Sequence, residues 1–133
     1  MSKMILQTVI LPAPAEKLFE MYLDAELHRD FTNAPVVIDQ ASGSRFEAFD
    51  GQIFGTILQV IPPTLIVQKW RSVNFKPGDA DSTLVLSFTS HGNNGQIDLI
   101  HLDVPDHEYD DVTSGWEQHY WQPWREYLVS TQD

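Results

Sequence analysis

A chain of 133 residues, 42% hydrophobic and 20% charged, has the size and makeup of one ordinary globular domain, expected to span residues 1–133. Its 8 Lys and Arg against 19 Asp and Glu give a formal net charge of −11, which repels nucleic-acid phosphates and anionic membrane surfaces, so neither is an expected partner. The lack of cysteine excludes disulfides, thiolate metal sites and cysteine nucleophiles, and fits a reducing compartment, the cytoplasm.

Met4–Leu11 is apolar and β-branched with no breaker, and reads as the first strand. Lys3, this run and Ala13-Pro14-Ala15 loosely mimic a signal peptide, but eight residues interrupted by Gln7 and Thr8 make a strand the better reading. No run approaches the ~18 apolar residues of a membrane helix. Pro12 and Pro14 end the strand, and Pro14 suits the first turn of a helix. Leu18, Phe19, Tyr22 and Leu23 recur at helical spacing over Ala15–Leu23. Asp24 is the N-cap expected for a second short helix, Ala25–Asp30, with Glu26 in its first turn.

Beyond Pro35 the chain reads as hairpins. Val36–Asp39 is a short strand, Ala41–Ser44 a turn and Arg45–Phe49 a strand, and Asp50-Gly51 is a strong hairpin signal. Gln52–Ile61 is a long strand broken by Pro62-Pro63, and Leu65–Arg71 follows. Lys76–Asp79 marks a loop. Ser82–Thr89 alternates, with Leu84, Leu86 and Phe88 on one face. After the Gly92–Gly95 turn, Gln96–Asp103 places Ile97, Leu99 and His101 on one side, and Pro105 stops it. Asp103, Asp106, Glu108, Asp110 and Asp111 then supply the negative charge that favours a helix N-terminus.

The last element is the most distinctive. Gly115–Leu128 holds three of the four tryptophans and two of the four tyrosines. At 100° per residue, Trp116, Tyr120, Trp121, Trp124, Tyr127 and Leu128 fall in one arc on the order of 140° wide. Glu117 lies inside that arc, while Gln118, His119, Gln122, Arg125 and Glu126 lie outside. Pro123 removes a hydrogen bond to the carbonyl of His119 and should kink or loosen the helix. A helix of about 17 residues spans roughly 25 Å. That is close to the roughly 30 Å of a nine-residue strand. The order of strand, two short helices, consecutive hairpins and one long amphipathic helix therefore predicts an α+β fold, with an antiparallel sheet of about six strands and the helices on one face.

Several of these residues also carry a resemblance. Pro12–Phe19 with Asp24, Phe49-Asp50-Gly51, Gly55, Pro62-Pro63, Lys69-Trp70-Arg71, Val104-Pro105, Gly115-Trp116 and Tyr120 together resemble the Activator of Hsp90 ATPase homologue 1-like family, over essentially the whole chain. That family belongs to the START/Bet v1-like superfamily. The resemblance implies a helix-grip fold, in which a curved antiparallel sheet wraps around the C-terminal helix and leaves a cavity between them. It implies two kinds of partner, a small apolar ligand and an Hsp90-type chaperone, and leaves room for a homodimer.

On that fold, the candidate ligand-binding residues are Gln68, Trp70, Leu86, Phe88, Leu99, His101, Trp116, Tyr120 and Trp124. Rings give large contact area with little rotamer loss, so the aromatic arc either lines a pocket or fills the core beneath the sheet. Gln68, if inward, orients a ligand or meets a neighbouring polar group. His101 either exchanges a proton with a ligand or is a hydrogen-bonded core histidine. Glu117 is either a half-buried carboxylate with a raised pKa or one that reaches solvent past the sheet. Lys69 and Arg71 face away from Trp70, as a solvated strand face or a basic strip for an acidic partner. His101, Asp103, Asp106, His107 and Glu108 cluster in sequence without metal-site spacing, so no metal and no cofactor is expected. No nucleophile elbow, phosphate loop or dinucleotide fingerprint occurs, and no residue set forms a catalytic centre. The leading expectation is a small-ligand binder. A chaperone-interaction module stimulating an Hsp90-type ATPase comes second, and an enzyme using Glu117 or His101 as base comes third.

Overall fold

The computed structural model describes residues 2–131, so Met1, Gln132 and Asp133 of the expected 1–133 domain lie outside the described residues. Strand β1 (Ser2–Leu11) buries Ile5, Val9 and Leu11 and turns Leu6, Thr8 and Ile10 outward. Helix α1 (Ala15–Leu23) starts directly after Pro14, whose carbonyl accepts the Leu18 N–H. Asp24 works at both ends of the next turn. Its N–H closes α1 on the Glu20 carbonyl, and its Oδ1 accepts the Leu27 N–H at 3.0 Å to open α2 (Ala25–Thr32). Helix α2 runs two residues past the expected Asp30 and stops at Asn33, whose left-handed backbone (φ 57°) is a common helix terminator.

The remaining strands are β2 (Val36–Val37), β3 (Arg45–Ala48), β4 (Ile53–Ile61), β5 (Leu65–Ser72), β6 (Ser82–His91) and β7 (Asn94–Pro105). They form one curved antiparallel sheet of seven strands in the order β1-β7-β6-β5-β4-β3-β2, the two-residue β2 supplying the seventh. The first strand therefore closes against the last, and every other neighbour is a sequential hairpin. Phe49 was expected to end a strand. It sits instead in the β3–β4 turn with φ 54°, followed by Asp50 and Gly51, also at positive φ. At Gly55 the β4 and β5 backbones approach so closely that a Cβ would lie 1.9 Å from the Lys69 carbonyl oxygen, so only glycine fits.

The C-terminal helix is not a single α-helix. A 3₁₀ turn (Asp106–Glu108) leads into α3 (Tyr109–Trp116), a π turn (Glu117–Trp121) and α4 (Gln122–Ser130). Pro123 explains the π turn. In a regular α-helix its ring would crowd the His119 carbonyl, and widening the helix just upstream relieves that clash. Across the π turn, the Gln122 N–H reaches back five residues to the Glu117 carbonyl. Gln7 on β1 braces the same place. Its Nε2 donates to the Thr113 carbonyl at 3.0 Å, and its Oε1 accepts the Trp121 indole N–H at 2.7 Å. Trp116, Tyr120, Trp121 and Trp124 are all buried toward the sheet, while the Glu117 side chain is 58% exposed and 4.0 Å from Arg125.

The space under the sheet is filled unevenly. Helix α1 lies on β6 and β7, and α2 lies against α4. Trp124 stacks on Phe31 of α2 at 4.1 Å and 10°, and Phe88 meets Phe19 of α1 edge-on at 5.4 Å. This half is solid core. Toward the end of β5 and α3 the packing opens, although Tyr22 of α1 and His28 of α2 still reach Gln68 and Tyr120 there.

Candidate functional site

A cleft of about 540 Å³ opens there. Its walls come from the β3–β4 turn and the start of β4 (Phe49, Gln52, Ile53), the end of β5 and the loop after it (Trp70, Ser72, Asn74), and the helix from Glu108 to Tyr120. The β5 alternation buries Trp70 on the same side as Gln68 and Ser72. On the helix, the four-residue spacing of Val112, Trp116 and Tyr120 puts three side chains on the cleft wall. Trp116 and Tyr120 lie 4.9 Å apart, and Trp70 lies 6.2 Å from Trp116.

Two buried hydrogen-bond chains hold these rings from behind. In the first, the Trp116 indole N–H donates to His101 Nδ1 at 3.3 Å. An indole can only donate, so Nδ1 is the acceptor and Nε2 carries the proton. Nε2–H then donates to Ser82 Oγ at 2.8 Å, and the Ser82 hydroxyl donates to the Trp70 carbonyl at 2.6 Å. Two walls of the cleft are thus tied together through one neutral imidazole.

In the second chain, His28 Nδ1–H donates to the Tyr22 carbonyl at 2.7 Å, which leaves Nε2 to accept the Tyr120 hydroxyl at 2.9 Å. The Tyr22 hydroxyl donates to Gln68 Oε1 at 2.6 Å, while Gln68 Nε2 has no hydrogen-bond partner among the described residues. Burial lowers the pKa of His101 to about 3. It lowers that of His28 to about 4, against a smaller opposing effect of the bond to the Tyr22 carbonyl. Burial also raises the Tyr120 phenol well above its usual value. With both nitrogens of each imidazole engaged, the two histidines position rings and have no free lone pair or proton for a bound molecule.

Of the residues marked in the sequence, the structure brings Trp70, Trp116 and Tyr120 together on the cleft. His101 stands directly behind them. Gln68 is fully buried beneath Tyr22 and does not line the cleft. Leu86, Phe88, Leu99 and Trp124 lie in the solid half of the core, under α1 and α2. Arg71 is committed to the 76–81 loop, donating to the carbonyls of Asp79 and Lys76 and to Asp81. Among the described residues no group of three or more His, Asp or Glu side chains is placed to hold a metal ion. No described helix is long and apolar enough to cross a membrane.

Sequence reasoning passed over His28, Phe49 and Glu108. His28 and Phe31 share the inner face of α2, and their three-residue spacing was the available signal. Phe49 stands in the sequence as part of the Phe49-Asp50-Gly51 motif and as a strand end, and only its turn conformation turns it to the cleft. Glu108 is read in the sequence as helix-terminal charge and as part of an acidic cluster without metal-site spacing, not as a cleft residue. It occupies the N-cap position of α3 without capping it, and its side chain is largely buried on the cleft.

Comparison with known proteins agrees with this architecture. The family model described as Activator of Hsp90 ATPase homolog 1-like protein matches residues 12–128. The human Activator of 90 kDa heat shock protein ATPase homolog 1 is 27% identical over 120 residues, which is 90% of this chain but 35% of the human protein. The chain thus spans about a third of that relative's length. Among solved structures, an HSP90 activator from Plasmodium falciparum superposes with a TM-score of 0.84 at 24% identity, covering 95% of this chain and 96% of that one. The Aha1 dimer from Colwellia psychrerythraea gives 0.75 at 12% identity, covering 90% and 92%. At such identities these two structures show a shared fold.

Proposed function

The chain belongs to the Activator of Hsp90 ATPase homolog 1-like family, and from that premise we propose that this member binds a small, largely apolar molecule in the cleft between β3–β5 and α3. One observation carries the reading. A cleft of about 540 Å³ has aromatic walls of which the Trp116 indole and the Tyr120 phenol are already satisfied from behind, through His101 and His28. Such walls are pre-ordered, so a ligand does not have to immobilise them. The volume lies within the usual range for small-molecule sites, about 300–1,000 Å³. A thermal-shift and native mass spectrometry screen with flat aromatic, sterol and fatty-acid probes tests it. A bound probe that raises the melting temperature supports the reading, and uniform failure to bind sinks it. The same spectra report whether the chain is present as one copy or two.

A second reading is favoured by the relatives' names. In this reading the chain is a cytoplasmic partner of an Hsp90-type chaperone and stimulates its ATPase. Pull-down with the chaperone and an ATPase assay at saturating protein test it, and an unchanged rate counts against it.

A further inference from the structure

We propose that the cleft selects organic cations, taking an ammonium group carried on a flat apolar body in preference to a neutral or anionic counterpart. The inference rests on the ligand-binding reading above and adds the charge of the ligand.

The first support is the balance of charge on the walls. Glu108 and Asp111 line the cleft, with His119 at its side, and among the described residues no lysine or arginine does. The Glu108 side chain is only 11% exposed. Its partner among the described side chains is His107, whose Nδ1 lies 3.6 Å from Oε2, beyond good hydrogen-bonding distance. The other nitrogen of His107 is already bonded to Asp79 at 2.7 Å. Glu108 therefore has no close cationic partner among the described side chains, and its carboxylate is left open to one. A ligand ammonium in the cleft would supply one.

The second support is the type of ring. Trp70, Trp116, Tyr120 and Phe49 present π systems to the same space, and the faces of such rings attract cations, Trp most strongly. Carboxylate and indole together recognise an ammonium with an aromatic or aliphatic body. They repel a fatty acid. The opposing influence is the start of α3, whose free N–H groups favour an anion. That end is worth about half a positive charge, against two full negative charges on Glu108 and Asp111. The net charge of −11 adds a long-range field of the same sign.

Three probes sharing one ring system provide the test: 1-naphthylmethylamine, 1-naphthylmethanol and 1-naphthoate, titrated by calorimetry against the whole protein. The amine is expected to bind at least about tenfold tighter than the alcohol, with the carboxylate weakest. Glu108→Gln should bring the amine close to the alcohol while changing alcohol affinity less than about twofold. Glu20→Gln, an exposed acid on α1 away from the cleft, should leave the amine's advantage in place. If the alcohol or the carboxylate binds as well as the amine, charge selection is wrong and the cleft remains a ligand site. If Glu20→Gln weakens the amine as much as Glu108→Gln does, the effect is general surface charge and the proposal is overturned. If none of the three binds, this proposal and the ligand-binding reading fall together.

Discussion

The Trp116 indole donates to Nδ1 of His101 at 3.3 Å, and that bond fixes which nitrogen of a fully buried histidine carries the proton. The same imidazole passes its other N–H to Ser82, which holds the carbonyl of Trp70. A core residue thereby sets the relative position of two cleft rings on different elements. Replacing it should disturb the cleft even though it does not line it. His101→Phe keeps the bulk but leaves the buried Trp116 N–H without an acceptor, while the Ser82 hydroxyl keeps the Trp70 carbonyl. It is expected to lose about 1–3 kcal/mol for that unsatisfied buried group, read as a lower urea midpoint.

Acid should destabilise the protein through its two buried histidines. Their folded-state pKa values are about 3 for His101 and about 4 for His28, both below the ordinary 6.5. The unfolded chain therefore binds more protons than the folded one between those limits. Stability is fully present above pH ~6.5 and is lost as pH falls toward 4 and 3, by up to about 1.4 kcal/mol per pH unit for each histidine. Urea midpoints between pH 7 and 5 should fall steadily. His28→Gln should lower overall stability but flatten that slope by about half. A slope unaffected by the substitution would contradict the assignment.

Tyr120→Phe separates the two roles of that residue. It removes the hydroxyl that His28 Nε2 accepts and leaves the ring on the cleft. The expected loss of stability is about 1–3 kcal/mol. Affinity for a cleft ligand should change less than about twofold, as calorimetry would show.

Trp124→Leu is the complementary case. Trp124 is fully buried against Phe31, and its indole N–H approaches Met21 Sδ at 3.5 Å. Losing part of that volume should destabilise by about 2–4 kcal/mol through the cavity it leaves. Ligand affinity measured below the lowered melting temperature should be retained, because this ring lies in the solid half of the core.

Gly55→Ala probes the β4–β5 approach. The added methyl would meet the Lys69 carbonyl, a backbone atom that cannot move without separating the strands. A loss of about 3 kcal/mol or more is expected, at or beyond the usual upper end for overpacking. Trp70 lies opposite Gly55 in the strand register, so its position on the cleft should shift as well.

The elements of the fold were legible where a local rule governs them. An unbroken β-branched apolar run marked β1, and periodicity marked α1 and the inner face of β6. Asp24 marked a cap, and Asp50-Gly51 a hairpin. The Glu117 phase could not be read, because 100° per residue fails where Pro123 forces a π turn. The cleft was only partly legible. Helical and strand spacing pointed Trp70, Trp116 and Tyr120 inward, as they also did Leu86, Phe88, Leu99 and Trp124. What divides the two sets is the docking of α1 and α2 over one half of the sheet, a long-range arrangement with no signature in local spacing. The His28–Tyr120 bond joins residues 92 apart in sequence and was invisible for the same reason.

The most direct test uses the four tryptophans as reporters. Trp70 and Trp116 line the cleft, while Trp121 is held by Gln7 and Trp124 lies in the core. In a protein labelled with ¹⁵N at tryptophan, titration with 1-naphthylmethylamine should shift the indole N–H signals of Trp70 and Trp116 in a saturable way and leave those of Trp121 and Trp124 in place. Signals that all stay still, or movement confined to Trp121 and Trp124, would contradict the account.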